Sequence, residues 1–122
     1  LPTLSLKINP FEDIVRNQSI ENSQVILYTF LRLLAENESN IAADLIRCVG
    51  RLDKKLILPW GLRLVMMGLK TTYVDVRESS VRALEHWQSY DLLMWWEAGH
   101  PEGVPWLKSY IHQLIEEGKN KL

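Results

Sequence analysis

The fold is decided by the stretch Val25–Leu52, VILYTFLRLLAENESNIAADLIRCVGRL, and by its approximate repetition 35 residues later at Trp60–Trp87, WGLRLVMMGLKTTYVDVRESSVRALEHW. When the first stretch is moved forward by 35 residues, apolar residues coincide with apolar residues at many positions. The coinciding pairs include Phe30 with Val65, Leu34 with Leu69, Ile46 with Val81, Val49 with Leu84 and Leu52 with Trp87. A period in this range is typical of stacked helix pairs, because each pair can bury its apolar face only against its neighbours. The sequence therefore predicts an all-α fold of antiparallel helix-pair repeats.

Apolar periodicity predicts two helices in each copy of the repeat. In the first copy they cover Ser23–Glu36 and Ile41–Leu52, and the loop between them is short enough to make them antiparallel. In the second copy Pro59 suits the first turn of a helix, and Val76–Gln88 forms its partner. Residues 53–58 are interpreted as a linker or a separate turn between the copies.

A third, shortened helix pair is visible at an offset of about 30 residues. Ser89 suits the cap of a helix that ends near Glu97. The glycine- and proline-rich turn Ala98–Val104 then leads to a last helix that begins at Pro105. Gly118 is well placed to end that helix in a left-handed conformation.

The chain is predicted to be one helical-repeat domain. Its parts are an N-terminal arm and short helix (1–22), helix pair 1 (23–52), helix pair 2 (53–88), the shortened helix pair 3 (89–118) and a tail (119–122). The first residue is Leu1 rather than methionine, so a fragment of a longer array remains an open alternative. If repeats that precede residue 1 are missing, the first helices would expose apolar surface, and we would expect self-association.

Composition places the chain among ordinary soluble proteins. Hydrophobic residues make up 47% and charged residues 24% of it, and no apolar run is long enough to span a bilayer or to act as a signal peptide. The single cysteine, Cys48, falls at an apolar position of the repeat. A buried structural thiol is typical of a reducing compartment, so we expect a cytoplasmic location and no contact with a membrane.

The net charge of −1 conceals a basic middle segment between two acidic ends. Residues 47–82 contain eight lysines and arginines but only three acidic residues, Asp53, Asp75 and Glu78. Such a segment either forms a patch for an anionic partner or is the solvated face of helices whose charges pair with their neighbours. The sequence leaves both interpretations open.

The segment Val76–Glu85, VRESSVRALE, resembles the second helix of a HEAT repeat, in which valine–arginine is followed by small residues and then alanine–leucine. The resemblance implies a short right-handed α-solenoid. It implies that Arg77 is a structural residue that ties adjacent repeats to an acidic loop residue. It also implies a module that holds a protein partner or, in some branches, nucleic acid. The Asp-Pro pair of the family is missing from Thr71–Asp75.

No pattern in the sequence predicts catalysis, a cofactor or a metal. The three histidines, His86, His100 and His112, lack metal-ligand spacing, and one cysteine cannot build a zinc site. Phosphate-binding glycine loops and a nucleophile elbow are also missing from the sequence. Asp91 one turn before Trp95 could place a carboxylate beside an indole, but an acid in the first turn of a helix is explained by the helix dipole. We therefore predict a protein that is not an enzyme.

The best surface candidate combines the period with the charge. Arg47 and Arg82 occupy equivalent positions on successive second helices, and Arg51 is equivalent to His86. Because second helices line the concave side of a helix-pair solenoid, these residues predict a basic stripe there, with Lys54 and Lys55 at its margin. We expect the stripe to bind an acidic protein segment. The alternative is contact with the phosphates of DNA or RNA through residues 47–82, which the overall charge disfavours.

Trp95 and Trp96 complete the list of candidate partner-binding residues. Adjacent residues on a helix point about 100° apart, so one of these side chains could be exposed to a partner. The sequence favours the opposite interpretation, in which both are buried against the last helix and Trp106.

Overall fold

The computed structural model of the chain describes residues 20–121. This part of the chain forms seven α-helices, and none of its residues lies in a β-strand. The all-α class is therefore confirmed, while the predicted arm and short helix before residue 20 lie outside the described residues. In chain order the helices are α1 Ile20–Ala35, α2 Ser39–Gly50, α3 Lys54–Ile57, α4 Trp60–Leu69, α5 Val74–His86, α6 Tyr90–Gly99 and α7 Pro105–Asn120.

The longer helices begin and end within a few residues of their predicted limits. Between α2 and α4 the predicted separate turn is the short helix α3, which Asp53 caps by accepting a hydrogen bond of 3.0 Å from the backbone N–H of Lys55. The chain then breaks at Pro59, as proline lacks the N–H that would continue a helix. α4 begins directly after it at Trp60.

The predicted role of Gly118 is wrong. α7 continues past it to Asn120, and no glycine in the described part of the chain has a positive φ. Gly118 is instead buried against α6, where a Cβ would lie 2.5 Å from the Cβ of Tyr90. This position therefore requires glycine because α6 and α7 approach each other closely, not because α7 ends there.

Two helices do end in a left-handed residue, but neither residue is glycine. Asn37 follows α1 with φ 60° and Gln88 follows α5 with φ 54°. In both cases the next residue returns a backbone hydrogen bond into the last turn, from Glu38 to Leu33 and from Ser89 to Leu84. These are Schellman ends, which satisfy carbonyl groups that a helix terminus leaves free.

Helix α5 is the centre of the packing. It contacts α2, α4, α6 and α7, and its contact with α2 is the most extensive between any two helices of the described chain. Val76, Val81 and Leu84 on α5 are fully buried, as are Ile46 and Val49 on α2. The second helices of predicted pairs 1 and 2 thus form the main apolar interface of the protein.

Residues at equivalent positions of the repeat largely share their burial. Phe30 and Val65 are both fully buried, and the pairs Ile46 with Val81 and Val49 with Leu84 behave in the same way. Val25 and Leu31 on α1 are exposed, although their equivalents Trp60 and Met66 are at least partly buried. Together with Tyr28 they form an exposed apolar stripe on α1.

Several hydrogen bonds join residues that are 35 or 36 positions apart. The Trp87 indole N–H donates to the Leu52 carbonyl oxygen at 2.9 Å, and these two residues are equivalent in the repeat. Near the other end of α5, the Ser39 hydroxyl donates to Asp75 at 3.1 Å. The Tyr73 hydroxyl likewise donates to Asn37 at 3.0 Å. Corresponding ends of the two predicted pairs are therefore bonded to each other.

Candidate partner-binding surface

The predicted basic residues meet at a groove between the C-terminal halves of α2 and α5. The two helices come closest where Gly50 faces Ala83, since a Cβ at Gly50 would lie 2.9 Å from the Ala83 Cβ. A shallow cavity of about 190 Å³ lies beside this contact. The basic side chains that line it are Arg47, Arg51, Arg82 and His86. We call this surface the basic groove.

The basic groove continues into a second cavity of about 460 Å³. Arg51 and His86 line both cavities, and Lys54 lines the second. The Lys54 ammonium group donates to the Ser89 hydroxyl at 3.0 Å. Lys55 is exposed but lines neither of these two cavities. The structure therefore brings together five of the six basic candidates and leaves Lys55 outside.

Two of the arginines are paired with carboxylates on their own helices. Arg47 forms an ion pair with Asp44, and Arg82 donates to Glu78 at 3.0 Å. The hydrogen bond to Glu78 raises the pKa of Arg82 above its usual value despite partial burial. The Arg82 guanidinium group also lies 5.2 Å from the centre of the Tyr110 ring on α7. The predicted pairing of charges with neighbours is therefore observed at these two positions.

Tyr110 on α7 contacts two charged residues of α5, Glu85 and Arg82. Its hydroxyl donates a hydrogen bond to the Glu85 carboxylate, and the Arg82 guanidinium lies over the face of its ring. Burial, followed by the hydrogen bond and the charge of Glu85, raises the pKa of Tyr110 well above its usual value. The phenol therefore keeps its proton and donates the hydrogen bond to Glu85 throughout the physiological range.

The positive charge left without a carboxylate partner belongs to Arg51 and Lys54. Neither forms an ion pair within the described part of the chain. Both lie at the end of the groove where α2 finishes and α3 begins. Asp53 also lines the second cavity, but its carboxylate accepts from the Lys55 backbone N–H and forms no ion pair with Arg51 or Lys54. An anionic partner would therefore gain most at that end, because no ion pair among the described residues has to be broken there.

The two adjacent tryptophans have different environments. Trp95 is 63% exposed, whereas Trp96 is 8% exposed and stacks on His100 with 3.7 Å between ring centres. The interpretation that buried both against the last helix is therefore wrong for Trp95, and Trp106 is exposed as well. α6 packs against α5 and α7, and Trp95 lies on the side of α6 that these two helices leave open. Trp96 is buried, so of the two only Trp95 presents a large surface to a partner.

Sequence reasoning missed a further cavity, a cleft of about 540 Å³ that we call the loop-end cleft. It lies where α4 and α6 end and α5 begins, at the other end of α5 from the basic groove. Its lining residues are Leu69, Lys70, Thr71, Thr72, Arg77, Trp96, His100, Pro101, Glu102 and Gly103. They come from three separate segments, and no local motif in the sequence marks them.

An ion pair between Arg77 and Glu102 forms one wall of this cleft. Two guanidinium nitrogens of Arg77, Nε and Nη2, donate to the two carboxylate oxygens of Glu102 at 2.9 and 3.0 Å. A third nitrogen, Nη1, donates to the Thr71 carbonyl at 3.1 Å. The backbone N–H of Val104 also donates to Glu102 at 2.9 Å. Arg77 therefore ties the loop before α5 to the loop before α7.

The HEAT resemblance predicts that Arg77 contacts an acidic loop residue, and the acidic loop residue that it contacts is Glu102. Burial alone would raise the pKa of Glu102. The hydrogen bond from Arg77, those from the backbone N–H groups of Val104 and Gly103, and the charge of Arg77 outweigh burial and lower it. The ionised form of Glu102 is therefore the form that the fold prefers.

We expect Glu102→Gln to lower the free energy of unfolding at neutral pH by about 1.5–3 kcal/mol, the usual range for a hydrogen bond to a charged group. Because folding lowers the pKa of Glu102 from 4.5, its contribution is fully present above that pH and is lost as the pH falls through the folded pKa. Urea denaturation at pH 7 and pH 3 measures the difference. Glu116→Gln, which removes an exposed pair with Lys119, should change stability by less than about 0.5 kcal/mol. A pH-independent effect of Glu102→Gln would contradict this account.

The described residues contain no group of three or more histidines, cysteines or acids that could hold a metal ion. No helix among them has both the length and the apolar character needed to cross a membrane. Cys48 is buried within α2, in keeping with its apolar position in the repeat.

Comparisons of the chain with protein-family models, with curated proteins and with solved structures found no significant match. The resemblance of Val76–Glu85 to a HEAT repeat therefore stays a prediction from the sequence.

Proposed function

We propose that this protein is a non-catalytic protein-binding module, a short right-handed α-solenoid of the HEAT-like type whose second helices carry the partner. Three observations support the proposal. The second helices α2 and α5 make the largest helix contact, equivalent residues share their burial, and hydrogen bonds join residues 35 or 36 positions apart. Arg77 adds a link from the second helix of pair 2 to the loop of pair 3.

The partner that suits this surface is an acidic protein segment bound in the basic groove. The observation that carries this proposal is that Arg51 and His86 line two adjoining cavities, so that one basic surface runs from Arg47 and Arg82 to Lys54. An extended segment with several carboxylates could contact Arg51 and Lys54 directly.

The ion pairs of Arg47 and Arg82 modulate this binding rather than prevent it. Exposed pairs between residues one turn apart on a helix contribute only about 0.3–0.5 kcal/mol. A carboxylate of the partner can therefore replace Asp44 or Glu78 at little cost. Arg51 is expected to contribute more than either, because it has no carboxylate to exchange.

We expect Arg51→Glu to weaken the binding of a fluorescein-labelled decaglutamate peptide by at least about fivefold, because it replaces attraction by repulsion where the cavities join. Fluorescence polarisation measures the affinity. Arg63→Glu is the matched control, since Arg63 is an exposed arginine on α4 that lines neither cavity of the groove. It changes the net charge equally and should leave the affinity within about twofold.

The same measurement separates the competing function. A DNA duplex bound in preference to decaglutamate, with an affinity that falls steeply between about 50 and 200 mM salt, would indicate phosphate contact instead. Equal losses of affinity for decaglutamate in Arg51→Glu and Arg63→Glu would show that binding depends on the net charge of the protein and not on the basic groove. Circular dichroism of each variant establishes that the fold is retained.

A further inference from the structure

The loop-end cleft has the size of a small-molecule site and is separate from the basic groove. Its volume of about 540 Å³ falls within the usual range for ligand pockets. Arg77 in its wall and His86 in the basic groove are nine residues apart on α5, about 14 Å along the helix axis at 1.5 Å per residue. Ligands could therefore occupy the two sites independently.

Flat aromatic surface lines one side of the cleft. The rings of Trp96 and His100 stack with centres 3.7 Å apart and planes within 9° of parallel, and both line the cavity. Leu69 and Pro101 add apolar surface beside them. His100 is exposed and Trp96 is buried behind it, so the imidazole, held in place by the stack, provides most of the flat surface. Such a surface suits a planar ring, which can stack or pack edge to face.

The polar groups that remain available in the cleft can donate to an anion. The Glu102 carboxylate is occupied by Arg77 and by the backbone N–H of Val104. Lys70 and Thr72 line the cleft, and neither side chain forms a hydrogen bond or ion pair with the described residues. Because the wall ion pair is internally neutral, the ammonium group of Lys70 leaves the site with a net positive charge.

We propose that the loop-end cleft binds a small planar aromatic anion, an aryl phosphate or aryl carboxylate. The ring packs on the surface formed by Trp96 and His100, and the anionic group accepts hydrogen bonds from the Lys70 ammonium and the Thr72 hydroxyl. Arg77 positions the cleft wall through Glu102 and keeps that carboxylate from repelling the ligand.

Phenyl phosphate is the probe that tests this site, with the indole N–H signals of the tryptophans as reporters in nitrogen-15 NMR spectra. We expect a saturable shift of the Trp96 signal with a Kd of about 1 mM or lower, as for a small ligand with one charged group. The Trp87 indole donates to Leu52 away from the cleft, so its signal should not move. Phenol lacks the anionic group and inorganic phosphate lacks the ring, so each should bind at least about tenfold more weakly than phenyl phosphate.

Matched variants identify the groups that hold the probe. Lys70→Met should weaken phenyl phosphate at least about fivefold, and His100→Ala should do the same through the lost ring contact. Lys55→Met removes an exposed lysine outside the cleft and should have no effect, and Arg51→Glu should have none either. The proposal is overturned if Trp96 shows no saturable shift. It is also overturned if phenol binds as well as phenyl phosphate, or if Lys55→Met weakens binding as much as Lys70→Met.

Discussion

Replacing Phe30 by alanine should lower the free energy of unfolding by about 3–5 kcal/mol, the range observed when a buried phenylalanine is truncated. Phe30 lies on α1, is 0% exposed and is equivalent to the fully buried Val65 in the second copy of the repeat. Its loss would leave a cavity among packed side chains that cannot collapse around it. Urea denaturation followed by circular dichroism measures the change.

The adjacent residue supplies the control for this substitution. Leu31 is 53% exposed, so Leu31→Ala should change the stability by less than about 0.5 kcal/mol. Both variants remove a large apolar side chain from the same helix, and the main difference between the two sites is burial. If the two variants were equally destabilised, the orientation of α1 described here would be wrong.

Replacing Gly50 by leucine should destabilise the protein by about 3 kcal/mol, at the upper end of the usual cost of overpacking. The new Cβ would lie 2.9 Å from the Ala83 Cβ and 3.2 Å from its Cα. Because Cα belongs to the backbone of α5, no rotation of a side chain relieves the overlap. The helices would have to separate, and the main interface of the protein would lose its contacts.

The same replacement at Gly99 is the matched control. Gly99 ends α6, and a Cβ there would have no neighbour within 4 Å. Gly99→Leu should therefore leave the stability unchanged or raise it by about 0.5 kcal/mol, since leucine favours a helix over glycine. A Gly50→Leu variant as stable as Gly99→Leu would contradict the close packing of α2 on α5. Thermal melting of both variants provides an independent measurement.

The sequence was sufficient for the helices and for most of the core. The apolar period of Val25–Leu52 and Trp60–Trp87 predicts which residues are buried, because burial follows from the face of the helix on which a residue lies. The sequence pattern gave the wrong role for Gly118, where glycine is needed because Tyr90 packs closely against the backbone. A glycine that ends a helix and a glycine at a close contact between two helices cannot be distinguished from the neighbouring sequence alone.

The basic groove was predicted in part, because the repeat period also determines which helix face a charged residue occupies. The period brings Arg47 and Arg82 to one face, and the structure has both beside the same groove. Their pairing with Asp44 and Glu78 follows from spacings of three and four residues on a helix. The loop-end cleft could not be predicted, since Lys70, Trp96 and Glu102 meet only through the tertiary arrangement of three segments.

The second helices α2 and α5 lie against each other at equivalent positions of the repeat. Nuclear Overhauser contacts measure this arrangement in solution. We expect a strong contact between the Gly50 Hα protons and the Ala83 methyl group, and a second one between the Trp87 indole N–H and Leu52. Absence of both, with Gly50 in contact with some other helix instead, would contradict the account.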